Sequence, residues 1–144
     1  MGELIYDDSS RLKDWAVERM PDVPVGGDAH TLGLLVDGKL AVVVIYESFT
    51  PHMCSMHVVT DNGRRWCSRG FLAAAFAYPF KQLGLSRVTA LIPASNTKAL
   101  NMDVRLGFKP EGVMRKGLGN DDLIVLGMLR DECIWLPKEN RHGQ

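Results

Sequence analysis

The order of apolar runs along the chain predicts an α+β domain, with helices on both faces of one mixed, mostly antiparallel sheet. Two β-rich runs, residues 31–36 and 39–49, are joined by Asp37-Gly38, a dipeptide that favours a two-residue hairpin turn. A third run, residues 53–60, leads into an amphipathic helical stretch over residues 67–83. Three strands in meander order that pass into a helix, followed by alternating strands and helices, indicate this class of fold.

The segments before the hairpin predict one strand, one helix and one loop. Residues 4–6 form a short apolar run, and the polar residues at 7–10 can cap a following helix. The helix is predicted by apolar residues at helical spacing, namely Leu12, Trp15, Ala16 and Met20. Pro21 ends it, because the residue before a proline is disfavoured in the α region. The loop over residues 21–30, rich in proline and glycine, can border a substrate cleft.

The segments after the hairpin predict three further strands and two helices. The run at 39–49 is apolar on both faces, which is typical of a central strand. Pro79 predicts a kink in the helix at 67–83, near residues 75–78, and Gly84 caps that helix. A strand at 87–92, a helix at 97–106 and strands at 109–115 and 123–130 complete the order. The spacing in the second helix turns Ala99, Leu100, Val104 and Leu106 inward.

Composition limits the function classes. The 144 residues suit a single domain, which we place at residues 1–136, with a flexible tail at 137–144. Seventeen basic and seventeen acidic residues give a net charge of zero, so no global field attracts nucleic acid or a membrane. Three cysteines without C-x-x-C spacing and no apolar run of membrane-spanning length favour a cytoplasmic protein with reduced thiols and no membrane partner. We predict no metal site.

The stretch from residue 53 to residue 84 predicts an anion site. A strand that passes through a turn into a helix presents helical N–H groups without intrahelical partners, at the positive end of the helix dipole. Arg64 and Arg65 lie in that turn. We therefore expect the turn to hold the phosphates of a cofactor and the strand before it to line the reaction site.

The motifs that follow this stretch resemble those of the GNAT acetyltransferase superfamily. They are Asn96-Thr97-Lys98-Ala99, Leu106-Gly107-Phe108, Glu111-Gly112 and a basic residue at Arg115. They look most like the ribosomal-protein N-terminal acetyltransferase branch, and residues 66–80 also resemble small phage and prophage members. The match covers the element order from about residue 31 to residue 130.

This resemblance implies acetyl transfer from acetyl-CoA, as co-substrate, to an amine. In the family the cofactor lies between two splayed parallel strands, and its pantetheine pairs with the fourth strand, here Val58, Val59 and Thr60. The family's phosphate pattern, Q/R-x-x-G-x-G/A, falls on residues 63–68 or 65–70, where glycines are largely replaced. The candidate cofactor-binding residues are therefore Val58, Val59, Thr60, Arg64, Arg65, Trp66, Cys67, Ser68, Arg69, Gly70 and Asn96.

Acyl transfer to an amine needs a neutral amine, a donor for the oxyanion and an acid for the leaving thiolate. We predict His57 and Glu47 as the catalytic residues that remove the amine proton, although His57 can simply fill a sheet position and Glu47 can be solvated. Asp103 occupies the place of a family tyrosine, and we expect it to be exposed and ionised. Asn96 serves equally well as a helix cap.

Three functions compete at this point. The leading one is an N-acetyltransferase that acts on a primary amine of a protein, small molecule or modified nucleotide. The second is a catalytically impaired GNAT-fold binding protein. The third is a GNAT-fold enzyme that uses another acyl donor or modifies nucleic acid through Arg64, Arg65 and Arg69. The sequence does not identify the acceptor, and the apolar last strand is able to pair across a homodimer.

Overall fold

The computed structural model describes residues 2–6, 9–21 and 23–137. Within them, seven strands and three α-helices alternate as follows: β1 (Gly2–Tyr6), α1 (Ser9–Arg19), β2 (His30–Val36), β3 (Lys39–Glu47), β4 (Met53–Thr60), α2 (Arg69–Ala77), β5 (Arg87–Pro93), α3 (Thr97–Leu106), β6 (Lys109–Met114) and β7 (Leu123–Leu129). The strands form one sheet in the order β1-β2-β3-β4-β5-β7-β6. All neighbouring strands are antiparallel except β4 and β5. The predicted fold class is therefore confirmed.

The hairpin between β2 and β3 forms where the sequence predicted it. Asp37 and Gly38 both have positive φ angles, 52° and 79°, which a two-residue turn that matches strand twist requires. β3 pairs with β2 on one side and β4 on the other, and after its first residue it is buried throughout. Its apolar character on both faces thus reflects burial on both faces.

The helices cover the two faces of the sheet unequally. Leu12 and Ala16 of α1 pack with Val43 and Ile45 of β3. Because side chains alternate along a strand, Val42 and Val44 point to the other face, where they join the core formed with α2 and α3. The central strand is therefore enclosed between helices, as the pattern predicted.

The predicted kink at Pro79 is a change of helix type. α2 ends at Ala77, and the chain continues as a π-helical turn, Tyr78–Gln82, in which Leu83 N–H donates to the Tyr78 carbonyl. Proline has no N–H to donate to the carbonyl four residues earlier, Ala75. The hydroxyl of Tyr46 donates to that carbonyl instead, at 2.6 Å. The helix also begins two residues later than predicted, because Ser68 caps it by accepting from Phe71 N–H.

Helix α3 has the predicted bounds, but two of its side chains face the other way from the prediction. Asp103, expected to be exposed, is only 3% exposed, whereas Val104, expected to point inward, is 50% exposed. The buried side of the helix runs through Asp103 and Leu106. The pattern failed here because the sequence places a carboxyl group where the helical spacing calls for an apolar residue.

The sheet edges also correct one expectation. The last strand, β7, is paired by β5 and β6, so it has no free edge with which to pair across a homodimer. The outer strand on that side is β6, every residue of which is exposed. No helix among the described residues is long and apolar enough to cross a membrane. The single domain at 1–136 and the cytoplasmic location stay predictions, and most of the predicted tail, 138–144, lies outside the described residues.

Candidate functional site

The site is built on the parallel strand pair, which separates along its length. β4 and β5 are in register only at Met53–Ser55 and Arg87–Thr89. Beyond Ser55, β4 remains paired with β3 but not with β5. The second half of β4 therefore has one open edge, as the splayed pair of the family resemblance implied, and the gap opens into a cleft of about 1670 Å³.

The cleft is lined by several segments, of which three carry the predicted cofactor-binding residues or their neighbours. One wall is the second half of β4, including Val58, Val59 and Thr60. Another is the turn after β4, and the third is the start and one side of α3, including Asn96, Lys98 and Met102. Seven of the predicted cofactor-binding residues thus lie on the cleft: Val58, Val59, Thr60, Arg64, Trp66, Cys67 and Asn96.

The turn between β4 and α2 is closed by its own hydrogen bonds. Gly63 N–H donates to Asp61, and the indole of Trp66 donates to the Gly63 carbonyl at 3.1 Å. Trp66 is 4% exposed, so its ring fills the turn from inside. Ser68 is the N-cap of α2, and the N–H groups of Arg69 and Gly70 in the first turn have no intrahelical partners. Ser68, Arg69 and Gly70 do not line the cleft in this structure.

The three arginines of this region have separate surroundings. Arg64 lines the cleft. Arg65 forms an exposed ion pair with Asp37 of the hairpin at 2.7 Å, and it does not line the cleft. Arg69 lies over the ring of Trp135, with its Cζ atom 5.4 Å from the ring centroid. They therefore do not form a single basic patch.

His57 and Glu47 form a buried pair at one wall of the cleft. They lie on neighbouring antiparallel strands, two positions apart in register and on the same face, because His57 is opposite Ile45 and Glu47 is opposite Ser55. The Nε2 atom of His57 is 2.7 Å from Oε2 of Glu47, and the two residues are 7% and 6% exposed. The structure thus brings the two predicted catalytic residues into contact.

A backbone N–H group of the loop that precedes β2 also bonds to this pair. The second carboxylate oxygen of Glu47, Oε1, accepts a hydrogen bond from Gly26 N–H. A Cβ atom at position 26 would lie 2.9 Å from Oε1, so only glycine allows this approach without displacement. Because a carboxylate can only accept, the Nε2 atom of His57 carries the hydrogen, and a neutral imidazole then has its free lone pair on Nδ1. Nδ1 is therefore able to take up a proton.

A second cavity of about 370 Å³ adjoins the cleft at His57. Its walls come from the 21–30 loop, from Glu47 and from the turn between β6 and β7. Four residues line both spaces: Val23, His57, Leu91 and Leu118. His57 thus lies in the partition between the cleft and the second cavity.

Buried groups near the cleft differ in their chemistry. Burial raises the pKa of the Asp103 carboxyl from 3.8 to about 7, and its Oδ1 atom has no hydrogen-bond partner. A carboxyl group with a pKa of about 7 is only partly ionised at neutral pH, whereas the sequence led us to expect full ionisation. Burial also raises the pKa of the Cys54 thiol to about 12, which agrees with a packing role rather than a nucleophile.

Several site residues were not predicted from the sequence. Lys98 donates to the Asn62 side chain at 3.1 Å and so joins α3 to the turn across the mouth of the cleft. Lys98, Met102 and Arg105 recur at helical spacing, a signal that could have shown their shared side. Ser95 and Asp121 bond at 2.6 Å and hold the β6–β7 turn against the start of α3. No local pattern indicates such a contact, because 26 residues separate its partners.

Comparisons with known proteins agree with this geometry. No family model matches the chain. YdaF of Bacillus subtilis (strain 168), provisionally named a ribosomal N-acetyltransferase, is 24% identical over 158 residues, which span 92% of this chain and 85% of YdaF. A mutant of the spermidine N-acetyltransferase SpeG from Vibrio cholerae superposes with a TM-score of 0.77 at 12% identity, over 96% of this chain and 98% of SpeG.

A provisionally assigned acetyltransferase from T. thermophilus has a TM-score of 0.63 and 20% identity, over 74% of this chain and 62% of that protein. The chain therefore has the GNAT fold, and its resemblance to the GNAT superfamily is confirmed.

Proposed function

We propose that this protein is an N-acetyltransferase that transfers an acetyl group from acetyl-CoA to a primary amine. One observation carries the proposal: a buried histidine, held by a carboxylate, lies between a long cleft and a second cavity. This arrangement suits two substrates that enter from opposite sides and react at His57. The acetyltransferase names of YdaF and SpeG support the same reaction class.

The cleft fits acetyl-CoA in shape and chemistry. The open edge of β4 at Val58–Thr60 offers backbone groups to pantetheine, as a strand edge does to an added strand. Arg64, Lys98 and Arg105 line the cleft and supply positive charge for phosphates. The predicted contacts of Arg65, Ser68, Arg69 and Gly70 stay predictions, and the ion pair with Asp37 disfavours the first of them.

Each residue of the pair has a separate part in the chemistry. The amine nitrogen attacks the thioester carbonyl of acetyl-CoA, the C–N bond forms as the C–S bond breaks, and CoA leaves as a thiolate that takes its proton from solvent. His57 removes the proton from the amine through Nδ1, while Glu47 fixes the ring through Nε2 and stabilises the imidazolium that results. Gly26 N–H keeps the carboxylate in place. Of the two predicted oxyanion donors, Val58 directs its N–H to the open strand edge, where it can stabilise the oxyanion, whereas Val59 N–H faces β3.

Two variants test these roles. With acetyl-CoA and an amine acceptor, we expect thiol release to fall by about 10²- to 10⁴-fold in His57→Gln, because the base is lost. Glu47→Gln should also be impaired. A glutamine amide has one acceptor oxygen in place of two, so it cannot accept from both His57 and Gly26 N–H in the same geometry. The matched control is His52→Gln, because His52 is exposed and lines neither cavity.

Binding and turnover separate this proposal from its alternative. Calorimetric titration should detect acetyl-CoA binding in all three variants, because none of them alters the phosphate-binding cations. Binding without thiol release across a broad amine panel would favour the catalytically impaired binding protein instead. Absence of binding at high micromolar acetyl-CoA would contradict the acetyltransferase.

A further inference from the structure

We propose that the acceptor carries a single primary amine on a neutral, apolar body, and that polyamines are poor acceptors. This inference rests on the proposed function, because it treats the second cavity as the acceptor site. It goes beyond that function by assigning the chemical class of the acceptor from the groups that line the cavity.

The lining of the second cavity is almost entirely uncharged. Among the described residues that form it, the ionisable side chains are Glu47 and His57. The others are small, hydroxyl-bearing or apolar, and the apolar members are Val23, Pro24, Val25, Leu91, Leu118 and Leu123. Such a surface favours an apolar group, because burying it removes hydrocarbon from water on both sides.

Glu47 directs both of its carboxylate oxygens to groups of the protein. One carboxylate oxygen bonds to His57 and the other to Gly26 N–H, and the side chain is buried. The reacting amine meets this pair through His57 and loses its proton there. A polyamine would bring a second ammonium, and an unpaired ammonium in a low-dielectric site is strongly unfavourable.

Among the described residues of the adjoining turns, three carboxylates accept hydrogen bonds from the turns themselves. Asp121 accepts from the backbone N–H and hydroxyl of Ser95 and from Asp122 N–H. Asp122 accepts from Lys116 N–H, and Asp28 accepts from Phe49 N–H. These side chains satisfy turns and do not line the second cavity. They therefore hold the walls in place and do not provide a second cation site.

The acceptor named for the structural neighbours does not define the acceptor of this chain. SpeG is named as a spermidine N-acetyltransferase, and the likeness to it is one of fold at 12% identity. A shared fold does not predict the acceptor, because the side chains that line the site select it. An apolar monoamine can be a free small molecule or the N-terminal residue of a peptide, and these two sources share the chemistry proposed.

The test measures acceptor binding separately from turnover. The protein saturated with CoA is titrated with 2-phenylethylamine, with a peptide that begins with leucine, and with spermidine. We expect one of the two monoamines to bind about tenfold more tightly than spermidine. The phenylethylamine and peptide arms then identify whether the source is a small molecule or a chain terminus.

A variant pair tests the cause of the preference. Leu118 lines both spaces from the β6–β7 turn, and Leu118→Glu adds a carboxylate to the acceptor wall. We expect it to shift the ratio of affinities about tenfold toward spermidine. Leu118→Gln is the matched control, because it has nearly the same size and no charge, and it should leave spermidine weak.

The outcomes separate this inference from the proposed function. Spermidine binding as tight as that of both monoamines, or an equal shift in the Glu and Gln variants, would overturn the acceptor class. Failure of every amine to bind would overturn it as well. A preference for a monoamine without thiol release would uphold the acceptor class and contradict the acetyltransferase.

Discussion

The carboxyl group of Asp103 lies on the buried side of helix α3, away from water. The side chain is 3% exposed, and burial raises its pKa from 3.8 to about 7. Between these two values the folded state binds a proton that the unfolded state has released. The free energy of unfolding therefore falls as the pH rises from about 4 to about 7, and the loss is complete above pH 7.

We expect Asp103→Asn to remove this pH dependence. The shift from 3.8 to about 7 corresponds to a penalty of about 4 kcal/mol in the wild type at pH above 7. Urea unfolding at several pH values measures this penalty as the slope of the free energy of unfolding against pH. The slope is compared rather than the absolute stability, because the buried amide of the variant also lacks hydrogen-bond partners and lowers stability at every pH. Asp14→Asn, at an exposed position of α1, should keep the wild-type slope. Equal slopes in both variants would contradict the assignment to Asp103.

Sequence reasoning at the scale of single residues succeeded where the signal was local. Asn96 was predicted as a cap, and its side chain accepts from Ala99 N–H. The same reasoning failed for Asp103, because a helical pattern assigns polar residues to the surface and does not predict a buried carboxyl group. It named His57 and Glu47 separately, but their contact depends on the register of two strands, which the sequence does not state directly.

The junction of α2 with its π-helical turn joins two residues that are far apart in sequence. Pro79 cannot donate to the Ala75 carbonyl, and the buried hydroxyl of Tyr46 donates to it instead. We expect Tyr46→Phe to cost about 1–3 kcal/mol, because it leaves a buried carbonyl without a partner. Pro79→Ala restores an N–H that can donate to the same carbonyl.

A double-mutant cycle tests whether the Tyr46 hydroxyl takes the place of the N–H that Pro79 lacks. In the Pro79→Ala background, Tyr46→Phe should cost less than in the wild type, by about 1 kcal/mol. Tyr6→Phe is the control, because Tyr6 is 62% exposed and should change stability little in either background. Strict additivity of the two substitutions would show that the Tyr46 hydroxyl does not replace the missing donor.

The cations at and beside the turn between β4 and α2 differ in their surroundings. Arg64 and Lys98 line the cleft, whereas Arg65 is paired with Asp37. We expect Arg64→Ala and Lys98→Ala each to weaken CoA binding about three- to tenfold through lost charge-assisted contacts. Arg65→Ala is a matched control and should bind CoA like the wild type. A larger loss in Arg65→Ala than in the other two would reverse this division.

Element bounds followed the sequence closely where turns and caps are encoded nearby. The Asp37-Gly38 hairpin, Gly84 and Gly107 all lie at positions of positive φ where the sequence predicted turns or helix ends. The helix at 67–83 was less well predicted, because its cap at Ser68 and its π-helical turn depend on single hydrogen bonds. The β6–β7 turn was predicted as a turn, but its contact with Ser95 comes from the tertiary fold.

At the scale of the whole molecule, the sheet consists of two parts joined at one end of the β4–β5 pair. Only Met53–Ser55 and Arg87–Thr89 are in register across that junction, and the cleft separates the strands beyond them. A ligand whose backbone-like arm pairs with the open edge of β4 adds bonds where the sheet has none. Binding should therefore stabilise the protein and quench local opening at this edge.

We expect CoA at a concentration of 100 Kd to stabilise the protein by about 2.7 kcal/mol and to raise Tm by several degrees. Hydrogen exchange should slow at the amides of Val58 and Thr60 beyond this global effect, because these N–H groups face the open edge, whereas Val59 N–H faces β3. Adenosine 3′,5′-bisphosphate is the control ligand: it carries the phosphates without pantetheine, so it should stabilise the fold and leave these amides unchanged. If both ligands protect β4 equally, the open strand edge does not hold the pantetheine arm, and the cleft binds CoA through its phosphates alone.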